Sequence, residues 1–125
     1  MGGNGSRGKG LLDSEMGRNW KTVTTIGEIH VIQLKDPNKS NKLPEESHTV
    51  NRIYAIFEKD GSDVKAIAKY DSNGKKVWKI HTTDHKGLGA HFHLWKDGKP
   101  IKGSEKSLAD NPQLLAILNK VRNLK

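Results

Sequence analysis

The chain has 125 residues, no cysteine, and 22 Lys and Arg against 14 Asp and Glu, for a net charge of +8. This length fits one small domain, and the missing thiols exclude disulfide frameworks, thiolate metal sites and cysteine nucleophiles. With 33% hydrophobic residues and a mean hydropathy of −0.76, a modest core forms only if the polar segments stay outside it.

The first ten residues contain five glycines and no apolar stretch, so they do not read as a signal peptide. No run approaches the ~18 apolar residues of a membrane span. The expectation is a soluble, cytoplasmic protein with no membrane partner. Residues 1–19 read as a disordered Gly-rich arm, because they offer too little apolar surface to offset the entropy of ordering. Residues 20–125 read as a single α+β domain, interrupted by a polar, Pro-containing loop at 35–48.

Val23-Thr24-Thr25-Ile26 and Ile29-His30-Val31-Ile32 are β-branched runs, which suit strands, and Gly27 between them reads as a bulge or kink. Residues 50–58 form the next strand signal, closed by the turn sequence Lys59-Asp60-Gly61. Residues 64–70 then alternate lysine with apolar or small residues, as a half-buried strand does. Asp71-Ser72-Asn73-Gly74 is the strongest hairpin signal, with residues 77–81 as the return strand. After a loop, residues 90–95 alternate again. Connections this short predict an antiparallel β meander of four to six strands. The period changes near the C-terminus, where Leu114, Leu115, Ile117, Leu118, Val121 and Leu124 recur at three- and four-residue spacing. Asn111 as N-cap and Pro112 at the first helical position start an amphipathic helix there. Its apolar stripe is expected to cover one face of the meander.

Four of the six histidines lie within residues 81–93, as His81, His85, His91 and His93. Side chains two apart on a strand leave the same face, so His91 and His93 point one way while Phe92 and Leu94 point into the core. Antiparallel pairing of the flanking strands sets His81 beside them. Three imidazoles in one volume suit an open site for zinc or another divalent transition metal, with His81, His91 and His93 as ligands. They equally suit acid–base cleavage of RNA by His81, His91 and His93, with Lys86, Lys79 or Lys96 stabilising the phosphorane charge. The Gly87-Leu88-Gly89 turn could offer backbone N–H groups to a phosphate. The structural alternative is that His91 and His93 are ordinary polar residues on a wet sheet face, and that no cofactor is held. Asp84 is the one carboxylate that the sequence places near them.

Seven lysines fall in residues 75–102 against Asp84 and Asp97. Positive charge therefore gathers around the histidines, which fits a nucleic acid or an acidic protein as partner. Scattered lysines that only keep sheet edges soluble are the alternative. Trp78 is expected in the core with Ile80. Trp95 shares a strand face with His91 and His93, either as a stacking surface for a base or as edge packing.

The opening Met1-Gly2-Gly3-Asn4-Gly5-Ser6, taken with the Asp84-to-His93 segment Asp-His-Lys-Gly-Leu-Gly-Ala-His-Phe-His, resembles small uncharacterised proteins encoded by prophages and mobile elements of Gram-positive bacteria. A looser likeness links the histidine cluster to small nuclease domains of bacterial toxins. The resemblance implies a bacterial or phage setting and a cytoplasmic location. Two function classes follow. One is a phage-type binding module for an anionic or protein partner; the other is a histidine-dependent, metal-assisted or metal-free, toxin-like ribonuclease.

Overall fold

The computed structural model describes residues 20–43, 51–83 and 89–124. The expected N-terminal arm, part of the polar loop, and the segment holding Asp84, His85 and Lys86 lie outside these residues. Strands β1 (Trp20–Ile26) and β2 (Ile29–Leu34) form a hairpin. Gly27 sits in its two-residue turn with φ of 56°, so it reverses the chain and does not kink one strand. The β-bulge lies instead at Val23, between Thr22 and Thr24.

Strand β3 (Ile53–Phe57) pairs parallel to β2, and the polar link between them supplies the crossover. From there the chain runs as an antiparallel meander through β4 (Val64–Tyr70), β5 (Lys76–His81) and β6 (His91–Lys96). Two short strands, β7 (Lys99–Pro100) and β8 (Lys106–Ser107), pair with β6 at its two ends. The sheet thus has eight strands, in the order β1 to β7 with β8 beside β6. That exceeds the expected four to six, because the sequence stretches at 99–100 and 106–107 are too short to show a period.

The β4–β5 turn follows its sequence signal. The Asp71 carboxylate accepts from the backbone N–H groups of Asn73 and Lys75 at 2.8 and 3.0 Å, and Gly74 takes the left-handed position with φ of 75°. A bulge at Val77 follows, so that Tyr70 faces Lys76 while Lys69 faces Trp78.

One face of the sheet packs Ile53, Ala55, Ile67, Ile80 and Phe92 against Leu114, Leu118 and Val121 of helix α1 (Pro112–Arg122). The start of α1 matches its sequence signature: the Asn111 side chain accepts from the Leu114 N–H at 3.1 Å, and Pro112 opens the first turn. The stripe ends at Val121, and Leu124 lies beyond the helix, 44% exposed. A smaller apolar cluster, with Trp20, Ile32, Tyr54, Ile56 and Tyr70, is the second core of the molecule. Strand register places Tyr54, Ala66, Ala68 and Tyr70 on the sheet face opposite the α1-facing residues.

Candidate functional site

Strand pairing brings the three histidines of β5 and β6 together. His81 pairs with His91, and Lys79 with His93, across an antiparallel ladder. Phe92 and Ile80 fall on the helix side, so the imidazoles occupy the opposite face, as side-chain alternation requires. Ring centroids are 5.5 Å apart for His81 and His91, 5.6 Å for His81 and His93, and 5.2 Å for His91 and His93. The expected cluster therefore exists, but it is sunken: His91 is 3% exposed, and the His93 side chain keeps 29% of its surface open.

Glu105 completes the group. It precedes β8, whose pairing with β6 carries it to the histidines. Its Oε2 lies 3.5 Å from His91 Nε2 and 3.4 Å from His93 Nε2. These three donor atoms all fall within 4.8 Å of one another, so His91, His93 and Glu105 could hold a metal ion. His81 contributes differently: its ring stacks on His91 at an interplanar angle of 16°. Glu105 gave no sequence signal as a partner of the cluster, since it lies twelve residues beyond His93 in a polar stretch with no period.

The tautomer of His91 follows from its neighbour. His91 Nδ1 lies 2.9 Å from the Gly89 carbonyl oxygen, and a carbonyl only accepts, so Nδ1 carries the proton. In the neutral ring Nε2 is then a lone pair facing a carboxylate. A metal cation between the partners would satisfy such a contact. A backbone carbonyl on the far nitrogen is also the usual way that a metal-ligating histidine is oriented. Two donors bound tetrahedrally at about 2.0–2.1 Å sit about 3.3–3.4 Å apart, close to the two separations to Glu105.

Electrostatics set His81 apart. Burial, with smaller contributions from Lys79, His91, His93 and Lys76, pushes its pKa down from 6.5 to about 3. It is neutral at physiological pH and cannot serve there as a proton donor from an imidazolium. Lys79 and Lys76 are 6% and 3% exposed, unusual for lysine. Lys79 lies between Ala68 and His93 in the ladder. Lys76 Nζ sits 5.0 Å from the Trp95 ring centroid, and Trp95 in turn lies 6.0 Å from His93.

Of the lysines proposed to support chemistry, Lys79 adjoins the cluster, Lys96 is exposed at the end of β6, and Lys86 lies outside the described residues. Gly87 and Leu88 are also outside them, while the Gly89 carbonyl is engaged by His91. His30, on β2, packs against Tyr54 and takes no part. A separate cleft of about 490 Å³, lined by Val23, Ile32, Leu34 and Leu124 together with polar residues such as Gln33 and Glu58, does not include the histidines. No helix of the described residues is long and apolar enough to cross a membrane.

Comparison with protein-family models, with curated proteins and with solved structures found no match. Function must therefore be read from the side chains themselves.

Proposed function

We propose that the chain is a zinc-assisted ribonuclease whose centre is formed by His91, His93 and Glu105. The observation that carries this reading is the approach of both Nε2 atoms to one carboxylate oxygen, at 3.5 and 3.4 Å. Two imidazoles and one carboxylate are a donor set suited to zinc with a fourth position left for water or substrate. Bound there, zinc supplies a coordinated water that ionises near neutral pH.

The rest is the work of the chain. The Gly89 carbonyl fixes His91 with Nε2 toward the centre, and the stacked His81 ring limits how His91 can turn. His93 opens the centre to solvent. Lys79 and Lys76 place positive charge on the same face, which favours an anionic substrate and a developing phosphorane. The reaction class is hydrolysis of a phosphodiester, in which one water adds across the scissile P–O bond.

The test is to strip the protein with a chelator, restore one equivalent of zinc, and follow metal content and cleavage of a single-stranded RNA. One zinc per chain and zinc-dependent cleavage are expected. Glu105→Gln or His93→Ala should lower the rate by ~10²–10⁴-fold, the range for a lost catalytic group. Cleavage that persists fully in chelator overturns the metal and points to acid–base work by His91 and His93. Binding of RNA with no cleavage under any of these conditions overturns the enzyme and leaves a binding module.

A further inference from the structure

We infer that Trp95, with Lys76 beside it, forms a base-stacking subsite that selects single-stranded RNA for the histidine centre. The inference rests on the proposed phosphodiester chemistry for its purpose, but its binding step can be measured without that chemistry.

The three tryptophans occupy different environments. Trp20 is 2% exposed in the second apolar cluster. Trp78 packs against the helix-side core. Trp95 is partly exposed on the same strand face as His91 and His93, because it follows His93 by two residues. Its ring centroid is 6.0 Å from that of His93, at 63°. A base on the indole would thus sit next to the centre that is read as cutting the chain.

Lys76 strengthens the case. The bulge at Val77 turns Lys76 toward the face that holds Lys79, and its ammonium lies 5.0 Å from the Trp95 centroid. A buried lysine over one side of an indole fixes the ring, and with only 3% of the residue exposed its charge acts on a nearby phosphate without touching it. The neighbouring turn contributes further charge. Lys96 and Lys99 flank this turn as a register pair with Asp97 between them, and Lys102 lies in the next turn; all three lysines are exposed. Alternation roots Lys96 and Lys99 on the face opposite Trp95, so their charge lies at the strand end and not on the indole's face. Gly98, with φ of 79°, lets Lys75 lie across this turn, since a Cβ at Gly98 would come within 3.0 Å of Lys75 Cδ.

Aromatic rings flanked by lysines accept the face of any base, whereas bases inside a duplex already stack on each other. The arrangement therefore favours single strands with little sequence preference.

The experiment measures binding of a fluorescent 2′-O-methyl oligouridylate to the full chain in excess chelator, so that no cleavage intervenes. The same strand annealed to its complement is the control. Trp95→Leu is expected to weaken single-strand binding about 5–150-fold, the range for one lost base stack. Trp95→Phe should retain most of the affinity, and duplex binding should respond to neither. As a second readout, the oligouridylate should quench the tryptophan fluorescence of the unmodified chain, and Trp95→Phe should lose that quenching. Equal single-strand affinity for Trp95→Leu and the unmodified chain overturns the inference, as does quenching that survives in Trp95→Phe. Trp95-dependent binding without cleavage in the zinc-loaded protein sustains the subsite and removes the ribonuclease reading. Cleavage with Trp95-independent binding does the reverse.

Discussion

Glu105 and His81 divide the work of the cluster between charge and shape. Glu105 brings the only carboxylate oxygen within 3.5 Å of both inner nitrogens among the described residues. Glu105→Gln keeps the shape but removes the anion, so zinc affinity should fall by at least about 100-fold, the upper range for losing even an indirect partner of a metal ligand. Isothermal titration of the chelator-stripped protein measures it, and unchanged affinity would remove Glu105 from the ligand set. His81 acts through its neutrality. In the unfolded chain it protonates near pH 6.5, whereas in the fold it stays neutral down to about pH 3. Between those values the unfolded state binds the extra proton, so stability falls as the pH is lowered through this window. In chelator, the urea midpoint should therefore drop between pH 7 and pH 4.5. His81→Phe, which keeps a ring against His91 but cannot titrate, should lose less over the same interval. An identical drop in both proteins would show that His81 does not set this dependence.

Helix α1 shows which contacts hold the elements together. Leu118 is fully buried in the helix–sheet core, and Leu118→Ala should cost about 2–5 kcal/mol through lost transfer energy and a residual cavity. The Arg122–Asp63 pair has good geometry, with two hydrogen bonds of 3.0 and 2.9 Å. Its side chains are nevertheless 38% and 41% exposed, so Asp63→Asn should cost under about 1 kcal/mol. Urea unfolding of the two variants should reproduce this order, and a larger loss for Asp63→Asn would reverse it. These elements were legible in the sequence because a local rule specifies each one. Asn111 and Pro112 mark the helix start, Asp71 to Gly74 mark the hairpin, and alternation marks β6 as far as Leu94. Strand β4 reads as half-buried from its lysines, but it is covered on both faces, by Ile67 on one and by Ala66, Ala68 and Tyr70 on the other. The parallel pairing of β2 with β3 was not legible, since the polar link between them carries no period. Nor was the burial of Lys76 and Lys79: they are three residues apart, and only the bulge at Val77 puts both on one face. Three imidazoles could be placed together from alternation alone. Glu105 could not, because its position depends on edge pairing by a two-residue strand.

Across the whole molecule, charge is distributed by location more than by amount. The net +8 would give any basic protein some affinity for RNA, so affinity alone says little about the site. Location can be separated from amount by salt dependence. Each phosphate neutralised on a single strand contributes about −0.7 to the slope of log K against log salt. Lys96 and Lys99 flank the turn after Trp95, Lys102 lies in the turn that follows, and all three are exposed. Replacing them together with alanine should make the slope shallower by about 2, three times the contribution of one phosphate. Lys35, Lys39 and Lys42 are equally exposed, but they follow β2, four strands away from β6 in the sheet. Their replacement removes the same three charges from a region beyond the Debye length of ~10 Å at 0.1 M salt, so the slope should hardly change. Measured in chelator with the oligouridylate, equal effects from the two triple variants would mean that RNA senses only net charge. A loss confined to the first triple would mean that the strand is held at the end of the sheet where Trp95 lies.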